Sequence, residues 1–243
     1  MTELQQLPLF KQIWQESLHW QPNEQQQAKF QRLYTEILLA NRQLNLTRII
    51  EPEEFWEKHL WDSLSGVVHL GLKTDNLSVI DIGTGAGFPG VPVAIAFPGW
   101  TVTLLDSVQK KMVFLNSLVS AMELENTSLL TERVEMIAQD KKYRESYDIS
   151  LIRAVASASI CAEYALPLLK LGGLAILYRG HWSAEENLSL KTVVEQLGGK
   201  IEEVKQLTTP ITKSIRNCVY IRKISATPKQ YPRAVGIPRQ KPL

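Results

Sequence analysis

The stretch VIDIGTGAGFPG, from Val79 to Gly90, constrains the fold most, because four of the eight residues from Gly83 to Gly90 are glycines and they directly follow an apolar run. The apolar run, the glycine-rich segment and the following VPVAIAF together predict a strand, a loop and a helix. Glycine at this density costs conformational entropy that simple chain reversal does not require. We therefore expect a ligand close to this backbone, beyond the carboxyl end of the strand.

The rest of the chain alternates between β-rich and helical patterns. Short β-rich runs recur as LSVIDI, TVTLLD, YDISLI, GLAILY and NCVYIRK, which predicts an α/β fold with a mostly parallel sheet and helices on both faces. Before them, Asn23 suits a helix N-cap and Pro52 the first turn of a further helix. We expect a helical extension over residues 1–70, an α/β domain over 71–224 and an extended, proline-rich basic tail over 225–243.

Charge and composition limit the classes of protein. The chain has no run of 18 apolar residues and no signal-peptide pattern at its start, so we expect a cytoplasmic protein without a membrane partner. Cys161 and Cys218 lack metal-ligand spacing, and we expect no metal and no disulfide. From Val204 to Leu243 there are nine Lys or Arg residues and no acid, whereas the first 203 residues carry a net charge of −7. This asymmetry indicates that the C-terminal end meets a polyanion.

Two aspartates favour S-adenosylmethionine as the ligand of the glycine loop. Gly85, Gly87 and Gly90 match G-x-G-x-x-G, which formally fits a dinucleotide as well. Asp81, however, places a carboxylate at the end of the first strand, where it suits a cationic ligand and repels a pyrophosphate. Asp106 ends the second predicted strand and suits a carboxylate that accepts both ribose hydroxyls of an adenosine.

The segment after the fourth strand indicates the kind of atom that is methylated. Leu151 to Ser157 reads LIRAVAS, which lacks the Asn/Asp-Pro-Pro-aromatic turn that suits an exocyclic amine, and neither cysteine lies in a loop suited to attack on a pyrimidine. A purine N7 needs no proton removed, so positioning and electrostatics would suffice for catalysis. Arg153 suits either a hydrogen bond to guanine O6 or an ion pair with an acid in the same cleft.

Several motifs together resemble the RsmG (GidB) family of bacterial small-subunit rRNA methyltransferases. The resemblance runs from about Asn45 to the C-terminus, in the order NLT, EPEEFWEKHLWDSL, DIGTGAGFPGVPVAI, TLLDSVQKKMVFL, RVE, RAVAS and YPRAVGIPRQKPL. It implies a Rossmann-like class I methyltransferase with a mostly parallel seven-stranded sheet, which transfers a methyl group from S-adenosylmethionine to N7 of one guanine in 16S rRNA. By motif position, together with the glycine loop, it implies a cofactor site that contains Gly83, Gly85, Gly87, Phe88, Asp106, Ser107, Val134, Glu135 and Arg153.

The same resemblance bears on RNA contacts. Where the family often has LKG after the fifth strand, this chain has Tyr178 to Gly180, YRG, so that Arg179 keeps the charge but offers a bidentate contact. We expect RNA contacts from six basic residues: Arg179, Arg216, Lys229, Arg233, Arg239 and Lys241. The expected partner is 16S rRNA or the small ribosomal subunit or its precursor, and the expected state is a monomer. His59 and Asp62 match the family's H..DS helix, where His59 suits a structural role or the rim of the active site.

Two other classes of function compete with this interpretation. A nicotinamide-dependent oxidoreductase would also use a glycine-rich loop, but Asp81 and the absence of a second substrate domain argue against it. A non-catalytic RNA-binding module would explain the basic tail, but it would not need the glycine loop together with both aspartates.

Overall fold

The computed structural model describes residues 5–70 and 76–243, and its centre is a seven-stranded sheet in the order β3-β2-β1-β4-β5-β7-β6. Strands β1 to β5 are parallel, and β7 runs antiparallel to both β5 and β6. The expected mostly parallel seven-stranded sheet of an α/β fold is therefore confirmed. The strands are β1 Ser78–Ile82, β2 Thr101–Asp106, β3 Thr127–Thr131, β4 Tyr147–Arg153, β5 Leu169–Arg179, β6 Gly199–Thr208 and β7 Ile215–Lys223.

The topological switch point of the sheet lies between β1 and β4. The chain places β2 and β3 on one side of β1, and it then crosses over to place β4 and β5 on the other side. The carboxyl ends of β1 and β4 thus flank the crevice in which ligands bind in sheets of this kind. The glycine loop follows β1, as the sequence predicts.

Helices cover the sheet, and the sequence signals for two of their starts are confirmed. Asn23 caps a helix through a capping box with Gln26, and Pro52 occupies a first turn. Among the described residues, no helix is both long and apolar enough to cross a membrane. The helices are α1 Lys11–Leu18, α2 Glu24–Leu44, α3 in three consecutive segments (α-helical Pro52–Phe55, π-helical Trp56–Trp61 and α-helical Asp62–Ser65), α4 Gly90–Ala96, α5 Gln109–Ala121, α6 Val134–Ile137, α7 Ala158–Ala165, α8 Ala184–Gln196 and α9 Ile237–Gln240, with 3₁₀ turns at Val68–Leu70 and Leu166–Leu168.

The N-terminal helices share their core with the sheet. Trp14 on α1, Phe30 on α2 and Trp56 on α3 are almost fully buried and belong to the same hydrophobic cluster as Val79 of β1 and Tyr178 of β5. Burial of large aromatic side chains is among the strongest contributions to folding. The helices between residues 11 and 65 thus form one side of the core.

The C-terminal segment, residues 225–243, differs from the extended basic tail that the sequence suggests. Its residues 237–240 form helix α9, and Tyr231 is buried against the domain. The premise that no acid neutralises its charges is wrong for Arg233, whose guanidinium makes two hydrogen bonds, of 2.9 and 2.7 Å, to the carboxylate of Glu163. Glu163 lies 70 residues earlier, on α7, so the local sequence does not reveal this pair.

Replacing Gly90 with Ala should destabilise the fold, because a Cβ there would collide with Leu104 and lie 2.8 Å from Oδ2 of Asp81. Overpacking of this kind costs about 1–3 kcal/mol, which chemical denaturation would measure as a lower free energy of unfolding. Gly180→Ala is the matched control, because an added methyl group there meets no atom within 4 Å. Equal stabilities of the two variants would contradict this packing.

Candidate active site

Asp81, on β1, holds the glycine loop through a hydrogen bond to its backbone. Three of its glycines, Gly83, Gly85 and Gly87, have φ values of +73°, +61° and +99°, in the left-handed region that favours glycine. Asp81 is fully buried, and its Oδ2 accepts a hydrogen bond of 2.8 Å from the N–H of Gly90. Burial raises the pKa of the Asp81 carboxyl to about 6. Asp81 thus holds the loop in place from the end of β1.

Asp106, at the tip of β2, is fixed by the backbone on both sides. Its Oδ2 accepts from the N–H of Gly85 at 3.0 Å, and its Oδ1 accepts from the N–H of Val108 at 2.9 Å. Each carboxylate oxygen has a second lone pair for a hydroxyl of a ligand. The carboxylate thus has a set orientation before any ligand binds.

Asp106 lines a cavity of about 300 Å³ at the carboxyl ends of the strands, which we call the first cavity. Five residues of the expected cofactor site line it: Gly83, Asp106, Ser107, Val134 and Glu135. Sequence reasoning missed five further polar residues of its lining: Lys111, Glu132, Arg133, Tyr164 and, for this role, Arg239. Lys111, Tyr164 and Arg239 lie on three different helices far apart in the chain, so no local pattern brings them together.

The other four residues of the expected cofactor site lie outside the lining of the first cavity. Gly85 acts on it through its bond to Asp106, and a Cβ on Gly87 would meet Val91 and Leu115, so Gly87 serves close packing of the loop against α4 and α5. Phe88 lies beneath His59, and Arg153 lines a neighbouring cavity.

The first cavity fits S-adenosylmethionine in the character of its walls. Its volume lies at the lower end of small-molecule sites. Apolar side chains of Leu105, Val108 and Val134 stand beside the fixed carboxylate of Asp106, which suits an adenosine with its two ribose hydroxyls. Residues of this kind would hold the cofactor by its base and sugar.

A second cavity, of about 630 Å³, adjoins the first and contains a cluster of charges. Arg153 donates to Oδ2 of Asp62 at 2.7 Å, and Nε of Arg216 lies 3.4 Å from Oδ1 of the same carboxylate. The ion pair that the sequence left open for Arg153 is thus observed. Arg179 also lines this cavity and donates to the carbonyl of Ala156 at 2.7 Å.

Ala154 connects the two cavities. It follows β4 directly, lines both cavities and has a φ of +56°, in the left-handed region where residues other than glycine are uncommon. Such conformations persist where the surrounding structure enforces them, often at functional sites. The boundary between the cavities is therefore built from the backbone at the switch point of the sheet.

His59 has both a structural role and a place in the lining of the second cavity. It lies in the π-helical segment of α3 and stacks on Phe88 with ring centroids 4.2 Å apart. Its Nδ1 lies 3.4 Å from a donor nitrogen of Arg153, so we assign the proton to Nε2, which lies 2.9 Å from Oγ1 of Thr47. Burial, together with the charges of Arg153 and Lys58, lowers the pKa of His59 to about 3.

This low pKa makes stability depend on pH in a defined direction. Below about pH 6.5 the unfolded chain binds a proton at His59, whereas the folded chain does not. Proton binding therefore favours the unfolded chain, and the free energy of unfolding falls as the pH decreases from 6.5 towards 3. The loss amounts to about 1.4 kcal/mol per pH unit. Between pH 7 and 4.5, the free energy of unfolding of the wild type should fall more than that of His59→Gln. His181→Gln, at an exposed site, should parallel the wild type, and parallel behaviour of both variants would contradict the assignment.

Comparison with known proteins identifies the family of this chain. The family model of GidB, described as rRNA small subunit methyltransferase G, matches residues 26–217. A protein named Ribosomal RNA small subunit methyltransferase G from Nostoc punctiforme is 56% identical over the full length of both chains, and one of the same name from Trichormus variabilis is 57% identical, also over the full length of both.

Solved structures share the fold at low sequence identity. A 16S rRNA (adenine(1408)-N(1))-methyltransferase from Catenulisporales acidiphilia, solved with cosubstrate SAM, superposes with a TM-score of 0.54 at 15% identity, over 63% of this chain and 88% of that one. A precorrin-6y C5,15-methyltransferase from Geobacter metallireducens gives 0.50 at 16% identity, over 75% and 92%. The chain belongs to the rRNA small subunit methyltransferase G family, and it is an S-adenosylmethionine-dependent enzyme that methylates rRNA of the small subunit.

Proposed function

We propose that this enzyme methylates N7 of one guanine in 16S rRNA, with S-adenosylmethionine in the first cavity and the guanine in the second. The observation that carries the proposal is the contact of the two cavities at Ala154. A methyl group has to pass directly from the donor sulfur to the acceptor nitrogen, so donor and acceptor sites must adjoin. The family membership sets aside both the oxidoreductase and the non-catalytic alternatives.

The groups around the second cavity favour an acceptor that is already nucleophilic. Both nitrogens of His59 are engaged, by Thr47 and Arg153, and its pKa of about 3 keeps the ring neutral. Burial raises the pKa of the Cys218 thiol to about 12, so this cysteine is not a thiolate at neutral pH. Guanine N7 carries a free lone pair and would therefore accept the methyl group that bound S-adenosylmethionine supplies without losing a proton, and the positive charge of the sulfonium would move to the base.

The site residues have separate tasks in this proposal. In the first cavity, Asp106 binds the ribose hydroxyls, while Ser107, Val134 and Glu135 surround the adenosine. In the second cavity, Arg153 is positioned by Asp62 and suits O6 of guanine. Arg179 is held by the carbonyl of Ala156 and lies 3.6 Å from Glu186, and its remaining donors suit an adjoining phosphate.

Further basic residues would contact the phosphates of the RNA. Arg216 at the second cavity, together with the exposed Lys229 and Lys241, is suited to phosphates of 16S rRNA or of a precursor of the small subunit. Arg233 is removed from the expected RNA contacts because Glu163 neutralises it. A monomeric, cytoplasmic enzyme stays a prediction.

Asp106→Asn should weaken S-adenosylmethionine binding roughly tenfold to a hundredfold, because it removes charge-assisted bonds to the ribose. The amide keeps the size of the side chain and one oxygen for the loop, so the fold should persist. Calorimetry with a 2′-deoxy cofactor analogue should show a smaller loss than with S-adenosylmethionine. Equal losses for both cofactors would place the ribose elsewhere.

Guanine N7 as the acceptor predicts a chemical signature in the RNA. The methylated base is cationic and labile, so reduction followed by aniline should cleave the strand at one position. Since no general base takes part, kcat should vary little from about pH 7 to 9, above the pKa of about 6 of Asp81. RNA with 7-deazaguanine should accept no methyl group, and methylation of that RNA, or of a pyrimidine, would refute N7 as the acceptor.

A further inference from the structure

The C-terminal segment is anchored to the domain next to the first cavity. Arg144 donates to the carbonyl of Tyr231 at 2.7 Å and to that of Thr227 at 2.9 Å. Gln139 donates to the carbonyl of Pro232 at 2.8 Å, and Gln196 bonds the hydroxyl of Tyr231. Side chains from separate parts of the domain thus bind the backbone of this segment and fix its path.

Two buried carboxylates continue this anchoring towards helix α9. Glu163, fully buried, accepts the backbone N–H of Arg233 as well as its guanidinium. Glu135, 3% exposed, accepts the N–H of Gly236 at 3.1 Å and the hydroxyl of Tyr164 at 3.2 Å. Because Glu135 and Tyr164 themselves line the first cavity, the start of α9 is joined directly to the cavity wall.

Helix α9 places a cation in the lining of this cavity. Arg239 lies in the wall, and one of its guanidinium nitrogens is 3.4 Å from the carbonyl oxygen of Val155. Among the residues that the structure describes, no carboxylate lies within ion-pair distance of Arg239, in contrast to Arg233 and to Arg133, which lies 3.8 Å from Glu135. One donor is directed at Val155 and the guanidinium also bonds the Tyr164 side chain, so it keeps its charge and its remaining donors for a ligand.

The direction of methyl transfer decides which part of the cofactor Arg239 meets. In the proposed function, the ribose lies at Asp106, at the end of β2, and the methyl group faces the second cavity across Ala154, at the end of β4. The methionine part of the cofactor then lies at the end of β4, beside Val155. Its α-carboxylate is the one anionic group of S-adenosylmethionine.

We propose that Arg239 binds the α-carboxylate of S-adenosylmethionine, so that the C-terminal segment forms part of the cofactor site. This inference rests on the proposed placement of the cofactor. It changes the sequence-based role of Arg239 from an RNA phosphate contact to a cofactor contact. A guanidinium suits a carboxylate through two parallel hydrogen bonds.

The test compares two cofactors on one set of variants by calorimetry, with circular dichroism to verify the fold. Arg239→Ala should raise the Kd for S-adenosylmethionine roughly threefold to tenfold, as expected for a charge-assisted contact of an exposed side chain. The Kd for decarboxylated S-adenosylmethionine should change less than about twofold, because that cofactor lacks the anion. Lys241→Ala is the matched control, since it removes a neighbouring exposed cation outside the lining of the cavity, and it should leave both Kd values unchanged.

Asp106→Asn separates failure of this inference from failure of the proposed function. If Asp106→Asn weakens S-adenosylmethionine binding but Arg239→Ala does not, the cofactor is placed correctly and the role of Arg239 is refuted. Equal losses for the two cofactors in Arg239→Ala would also refute it, because the contact would then involve another part of the molecule. If Asp106→Asn has no effect on either cofactor, the placement itself is wrong.

Discussion

The site depends on backbone N–H groups of the glycine loop that are held by two carboxylates. Asp81 bonds Gly90 from beneath and Asp106 bonds Gly85 from the neighbouring strand, so the loop is tied to β1 and to β2 at once. Buried carboxylates that accept backbone N–H groups are favourable only where the geometry is fixed. The parallel register of β1 and β2 supplies this fixed geometry, because it brings both strand ends to the same edge of the sheet. The first cavity is a consequence of this arrangement.

Charged side chains that pair with one another form part of the wall of the second cavity. Asp62 lies between Arg153 and Arg216, so that one carboxylate orders two guanidiniums and leaves an excess of positive charge. Removing one charged side chain from such a partly buried cluster leaves the charges of the others unpaired, which destabilises the fold. In the proposed function, this excess attracts the RNA backbone, and the fixed orientation of Arg153 suits a planar base. His59 adds packing on Phe88 and a hydrogen-bonding contact with Arg153 that requires the neutral ring.

Local patterns in the sequence predicted the elements that depend on neighbouring residues. The strand before Gly83, the capped helix at Asn23 and the carboxylate at the tip of β2 all follow from short-range rules. Contacts between distant residues could not be predicted in this way. The pair of Glu163 with Arg233 joins α7 to the C-terminal segment, and Arg153 meets Asp62 across 91 positions. The division of the candidate residues between two cavities was missed for the same reason, since motif order does not show which side of β4 a side chain faces.

The basic residues of the C-terminal segment lie in different surroundings. Arg233 is neutralised by a buried acid and fixes the chain, while Arg239 lies in the wall of the first cavity. Lys229 and Lys241 remain exposed, without an ion pair among the described residues, and these two can release counterions when RNA binds. A charge count treats all four residues alike, whereas their surroundings divide them into a neutralised arginine, an arginine in the cavity wall and two exposed lysines. An anchored segment of this kind carries its exposed charges at fixed distances from the cofactor cavity, so it loses less conformational entropy on binding RNA than a free tail would.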